Sequence, residues 1–168
     1  LDNPALRYKL IVVPEWSKLS CKDKLLAFAE NGGSLLIIGS GATRLFEKEL
    51  GVSITDTVKQ KRVFIGDKYD YCSFGELSDI NEVKVLTAVA AENAFLNSDF
   101  SDIHTALTVN GLGKGKIAGI YFDMGQQYIS GRTAGACDFV KRTVSKLLQK
   151  PELTVTGSRN VEVALRRN

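Results

Sequence analysis

The residues best placed for chemistry cluster at two strand ends. Gly39-Ser40-Gly41-Ala42-Thr43-Arg44 follows an apolar run and precedes a helical pattern. That junction is where open α/β sheets bind ligands or present a nucleophile. A dinucleotide fingerprint would need glycine where Arg44 stands, and a hydrolase elbow would need a residue between Ser40 and each glycine. A tight strand-to-helix turn therefore outweighs a functional reading of the segment by itself. Pro14-Glu15-Trp16 lies just past the end of an earlier apolar run, on the same expected edge. If a pocket exists, Pro14, Glu15, Trp16, Gly39, Ser40 and Gly41 are expected to line it, although covering the sheet edge is the plainer role for Trp16.

Other candidates carry less. Gly111-Leu112-Gly113-Lys114-Gly115-Lys116 invites a phosphate-loop reading, but a phosphate loop needs Ser or Thr after its lysine at a helix start. Here the glycines precede a strand, so a mobile hairpin turn is expected. His104 is the single histidine, and no spacing nominates a nucleophile or carboxylate beside it. Cys72 reads as a half-buried thiol. Cys21 falls in a helical first turn, which makes it a candidate for reactivity and nothing more. Three widely spaced cysteines and one histidine exclude the common structural zinc sites. No catalytic residue, metal or cofactor is assigned.

The elements that must position these residues follow from periodicity. Leu10-Ile11-Val12-Val13 and Ser34-Leu35-Leu36-Ile37-Ile38 are apolar on successive residues, the pattern of strands buried on both faces. Between them Ser20 reads as an N-cap with Asp23 three residues on. Leu25, Leu26, Phe28 and Ala29 form the apolar stripe, and Asn31-Gly32-Gly33 closes the helix. One short crossover helix demands that the two strands be parallel neighbours. A second helix is expected from about Ala42 to Leu50. Short strands are expected at Val63–Ile65, at Tyr69–Tyr71 and around Val83–Val89, with a loop or short helix from Asn93 to His104. Ala106–Val109 and Ile117–Phe122 read as a hairpin. The longest helix spans Thr133 to Gln149, with Cys137, Val140, Val144, Leu147 and Leu148 as its apolar face. Leu153 and Val155 begin a last strand pair with Val161, Val163 and Leu165.

Composition narrows the class. A chain of 168 residues, 44% hydrophobic and 24% charged, fits one globular domain over 1–168. The formal charge of +3 comes from scattered basic residues, without the basic face and interleaved aromatics of nucleic-acid binding. No apolar run reaches the roughly 20 residues that span a bilayer. The opening on Leu1-Asp2-Asn3-Pro4 and the close on an apparent strand read as a piece of a larger protein.

The segment YKLIVVPEWSKLSCKDKLLAFAENGGSLLIIGSGA resembles class I glutamine amidotransferase-like domains, and more closely the β-galactosidase trimerisation-like accessory domain of glycoside hydrolases. GLGKGKIAGIY resembles a late hairpin of those domains. The final helix with PELTVTGSRNVEVALRR resembles their passage, from about residue 152, into a following β-sandwich. The resemblance implies an α/β fold: a flavodoxin-like or glutamine amidotransferase-like sheet with a parallel core, helices on both faces and some antiparallel strands. Active glutaminases present a cysteine at the turn where this chain has Gly39 and Ser40, so glutaminase activity is not implied. What is implied is a non-catalytic accessory or oligomerisation domain. Its partners would be the other domains of the parent chain, further copies of itself or carbohydrate; in a bacterial glycoside hydrolase its place would be periplasmic or extracellular. Two rivals remain: a hydrolase using Ser40, which needs a base within reach, and a sugar-binding module at the sheet edge, which needs a concave pocket with an exposed aromatic.

Overall fold

The computed structural model describes residues 8–15, 20–66, 69, 71–73, 77–125, 129 and 134–148. Trp16 and the expected last strand pair lie outside the described residues. The described chain is a mixed α/β structure built on a seven-stranded sheet. Strand β1 (Leu10–Val13) is followed by helix α1 (Lys22–Glu30), β2 (Ser34–Ile38) and α2 (Ser40–Leu45). Then come β3 (Val52–Lys61), β4 (Phe64–Gly66), β5 (Tyr71–Ser73), β6 (Ser78–Val85) and β7 (Val89–Phe95). Strands β8 (Ile103–Leu112) and β9 (Gly115–Ile120) precede the long helix α3 (Ala134–Leu147).

Strand order in the large sheet is β1-β2-β9-β8-β7-β4-β5, with β3 and β6 forming a separate pair. Strands β1, β2 and β9 run parallel, in register from Leu10 opposite Ser34 to Ile38 opposite Ile120. The adjacency of β1 and β2 is thus as the short crossover requires. From β9 outward every pairing is antiparallel.

Strand β2 is buried at all five positions, with Leu35 and Ile37 fully so. Strand β1 departs from expectation. Its apolar run predicts burial on both faces, yet it is an edge strand with Val12 47% exposed. Among the described strands only β2 pairs with it. Helix α1 starts one residue later than the Ser20 cap implies: Cys21 is the N-cap and makes no side-chain cap bond, while Leu25 N–H donates to the Cys21 carbonyl. The helix closes as expected, with Gly32 left-handed and Gly33 N–H donating to the Phe28 carbonyl. Helix α2 spans six residues and begins at Ser40, with non-helical turns filling 46–51, so it is shorter than the Ala42–Leu50 pattern implies.

The middle of the chain differs most. Residues 52–61 form a ten-residue strand, β3, which no sustained period-2 pattern announces. It pairs with β6 through two register shifts, and Gln60 has a positive φ. The expected loop or short helix from Asn93 to His104 is instead the end of β7, a tight loop and the start of β8. Side chains hold that loop: Asp99 accepts from Ser101, and Asn97 accepts from the Asp102 N–H. Phe100, at φ 61°, packs its ring edge-on against Phe95 and Tyr71, with Phe64 beside them.

The hairpin β8–β9 forms as expected, and its turn packs against the end of α1. Lys114 N–H donates to the Glu30 carbonyl, and Gly115 lies so close to the Gly33 and Ala29 carbonyls that a Cβ would not fit. Helix α3 buries Ala136, Phe139, Thr143 and Leu147. This stripe is displaced from the expected one, and Cys137 is exposed. Phe139 takes the core position, stacked 6.4 Å from Phe122. The core continues through Phe46, Leu50, Ile65, Ile80, Leu107 and Tyr121, all fully or almost fully buried. Tyr121 shares a 2.6 Å hydrogen bond with Thr108, and burial pushes its phenol up to about 12.

Candidate functional site

Three parallel strands end at one edge, and the residues just beyond their ends meet there. Glu15 lies past β1, Gly39-Ser40-Gly41 past β2, and Asp123 past β9 after Tyr121 and Phe122. The start of β6 adds Ser78 and Asp79. Glu15, Ser40, Asp123, Ser78 and Asp79, with Gln60 and Leu77, line a cavity of about 230 Å3. Of the six residues expected at this edge, Glu15 and Ser40 line the cavity, Gly41 binds Glu15, and Gly39 leaves room for it. Pro14 is exposed beside them and does not line it, while Trp16 lies outside the described residues.

Glu15 is the centre of the arrangement. Its Oε1 accepts the Gly41 N–H at 2.8 Å, and the Ala42 N–H also faces the carboxylate. Its Oε2 stands where a Cβ on residue 39 would be, which is one reason for glycine there; the other is φ 106°. The amide groups that an outside anion would use are therefore already given to the chain's own carboxylate. Partial burial of that carboxyl raises its pKa, the Gly41 and Ala42 bonds oppose the rise, and the negative charges of Asp123 and Asp79 add to it. Asp79 is shifted the other way, mainly by its 2.7 Å bond from Lys59 Nζ and by the Gln60 N–H.

Behind the cavity the turn is braced. Fully buried Asn81 donates from Nδ2 to the Ser40 carbonyl at 2.7 Å and to Thr43 Oγ1 at 3.0 Å, and accepts from Thr57 Oγ1. Thr43 Oγ1 donates to the Gly39 carbonyl. Ser78 Oγ accepts the Asp123 N–H. Asp79, Asp123, Gln60 and Asn81 were not among the residues expected here. Their sequence signal was Asp123 directly beyond the apolar Ile117–Phe122 run, which reaches this edge because β9 pairs parallel with β2.

The remaining candidates lie elsewhere. His104 is on β8, its Nε2 2.9 Å from Asp102 Oδ1 and its Nδ1 3.6 Å from Glu82 Oε1, in a different cavity from Ser40. Lys114 and Lys116 line a cavity of about 440 Å3 at the opposite end of the parallel strands. There Lys116 Nζ donates to the Lys146 carbonyl and so serves the C-terminus of α3. Cys72 is half-buried as expected, and burial raises its thiol pKa. Cys21, at the start of α1, is also partly buried. Among the described residues no group of three His, Cys, Asp or Glu side chains could hold a metal ion, and no helix is long and apolar enough to cross a membrane.

No protein-family model and no curated protein matches the sequence. Solved structures do share the fold. Gan42B, a GH42 β-galactosidase from G. stearothermophilus, superposes with a TM-score of 0.58 over 83% of this chain and 22% of its own, at 18% identity. The cytoplasmic protein STM3548 of Salmonella typhimurium gives 0.59 over 83% of this chain and 72% of its own, at 16% identity. A putative ThuA-like protein from Bacteroides uniformis gives 0.54 over 86% and 71%, at 10% identity. At these identities the fold is what is shared. It is consistent with the class I glutamine amidotransferase-like architecture, and this chain spans only about a fifth of the β-galactosidase it resembles.

Proposed function

We propose that this chain is a non-catalytic accessory domain of a carbohydrate-active protein, working through contacts with other domains of the same polypeptide and with further copies of itself. The observation that carries the reading is the state of the strand-to-helix turn. Serine attacks only when a neighbouring base takes its proton. The imidazole of His104 is held by Asp102 in a separate cavity, and Glu15, the carboxylate at the turn, is engaged by Gly41. The shared fold with a segment of a GH42 β-galactosidase supports the choice of parent class.

The test is direct. The purified chain is expected to hydrolyse neither p-nitrophenyl acetate, glutamine nor p-nitrophenyl β-D-galactopyranoside above background. Ser40 is expected to resist fluorophosphonate labelling. Turnover that disappears in Ser40→Ala would overturn the non-catalytic reading. Light scattering on the same sample reads the proposed self-association, which a strictly monomeric mass at high concentration would refute.

A second reading, a small-molecule or sugar-binding site at the sheet edge, is favoured by the polar cavity beside Glu15, Ser40 and Asp123. With Gly41 N–H already bound to Glu15 and two further carboxylates in the walls, such a ligand would be neutral or cationic. Backbone amide signals of Ser40 and Gly41 that stay still under a sugar titration would sink this reading.

A further inference from the structure

The seam between the two sheets holds a polar site of a different kind. A cavity of about 320 Å3 opens there between β3 and β6 on one side and β7 and β8 on the other. That volume falls at the lower end of the roughly 300–1,000 Å3 range of small-molecule sites. Its walls carry His104, Glu82, Lys84, Asn93 and Thr105, with Ile103 at the rim.

Two features separate it from the edge cavity. At the edge most polar groups are bound within the wall, the Ser40 hydroxyl excepted: Glu15 to Gly41, Asp79 to Lys59 and Gln60, Ser78 to the Asp123 N–H. At the seam, the side chains of Lys84, Asn93 and Thr105 make no hydrogen bond or ion pair among the described residues. The second feature is the histidine. Its side chain is only 11% exposed, and Asp102, which as a carboxylate can only accept, takes the Nε2 proton. In the neutral ring Nδ1 is then an acceptor. It stands 3.6 Å from Glu82 Oε1, longer than a hydrogen bond, so both acceptors are left facing the cavity.

We infer that this seam cavity binds a neutral polyhydroxyl ligand, of which a pyranose is the form that fits the walls. In the walls Glu82 and Lys84 cancel in charge, the Asp102 carboxylate behind His104 works against an anion, and the Lys84 ammonium works against a cation, so a neutral ligand suits the site. Acceptors (Glu82, His104 Nδ1), donors (Lys84) and groups that do both (Asn93, Thr105) stand side by side, and hydroxyls are the ligand groups that donate and accept alike. Ile103, 61% exposed, offers apolar surface for the C–H face of a sugar ring. The site is distinct from the sheet edge. The inference rests on the carbohydrate-active reading only for choosing a pyranose among polyols.

The chain's single histidine makes the test unambiguous, because its ring gives one set of NMR signals. Titration with methyl β-D-galactopyranoside at constant pH is expected to shift the His104 ring signals saturably. Inorganic phosphate and ethylammonium are expected to leave them unmoved. Asn93→Ala and Thr105→Val, both replacing side chains without hydrogen-bond partners among the described residues, should each weaken the glycoside at least tenfold while keeping the backbone amide spectrum. An unshifted His104 under glycoside, a saturable response to phosphate or ethylammonium, or full affinity in both variants would each overturn the inference. The accessory-domain reading falls on Ser40-dependent turnover instead, so the two fail separately. A glycoside that moves the Ser40 and Gly41 amides but not His104 assigns the ligand to the edge and refutes the seam.

Discussion

The parallel part of the sheet and its antiparallel arm are built under different constraints. Strands β2 and β9 are connected or flanked by helices, and every residue of β2 is buried. In the arm, β8 through β5, burial is graded along the strand: Val89 at the start of β7 is 68% exposed, while Phe95 at its end is 9% exposed. The contrast extends to the two polar cavities. The edge cavity sits on the parallel part and has spent most of its polar groups on its own walls. The seam cavity sits where the β3–β6 pair meets the arm, and its groups face outward. In this fold, then, packing is concentrated where the crossover helix enforces it, and open polar chemistry lies where strands meet without one.

The comparison is most sharply broken or upheld by truncation. Ile37→Ala removes three buried carbons from the centre of β2, where the side chain is fully buried, and should cost about 2–5 kcal/mol. Val89→Ala, in the exposed start of β7, should change stability by no more than about 0.5 kcal/mol. Urea unfolding of the two variants reads both values. Equal costs would mean that the arm is packed as tightly as the parallel strands, against its exposure.

Next in size is the joint between the two parts. Asn81, on β6, is fully buried and ties the small sheet to the turn after β2. Asn81→Ala would leave the Ser40 carbonyl and the Thr57 hydroxyl short of a partner, at a cost of about 1–3 kcal/mol by the penalty for stranded polar groups. Loss of Ser40 and Gly41 amide protection from hydrogen exchange, ahead of global unfolding, should accompany it. Unchanged protection would show that the turn holds itself without β6.

What could be read from the sequence divides along the same line. Leu35 to Ile38 are apolar without interruption because both faces of β2 are covered, so period and burial agree. In β3 only Val52 and Ile54 show a period before Thr55, Asp56 and Lys59 obscure it, because one face meets water and register shifts break the alternation. For β1 the pattern misled: Leu10 to Val13 are as apolar as β2, and only strand order reveals an edge. The site followed the same rule. Glu15 and Ser40 were legible as the ends of two obvious strands. Asp79, Gln60 and Asn81 were not, because they arrive on β3 and β6, whose pairing is non-local. His104 was visible as a residue but not as a neighbour of Glu82, which a different strand supplies.

The smallest expected effect concerns the two carboxylates of the edge cavity, which should pull stability in opposite directions as pH changes. Glu15 has a raised pKa in the folded chain. Between its unfolded and folded values the native state holds more protons, so its contribution is present at low pH and is lost as pH rises through the folded value. Asp79 has a lowered pKa, set first by its bond from Lys59. Its contribution is present above the unfolded value and is lost as pH falls through the folded one. Glu15→Gln removes the first titration and should gain stability over the unmodified chain as pH climbs from about 3 to about 7. Asp79→Asn removes the second and should lose stability over the same span, both by amounts measured in pH-dependent unfolding midpoints. Both carboxyls keep much of their surface in water, which screens them, so each difference should stay below about 1 kcal/mol. Two slopes of the same sign would mean that the Gly41 and Ala42 bonds outweigh burial and pull the folded Glu15 pKa below its unfolded value. A flat Glu15 difference would mean instead that the carboxyl has left Gly41 for water; the amides after β2 would then be open to an outside ligand, and the edge cavity would lose the feature that sets it apart from the seam.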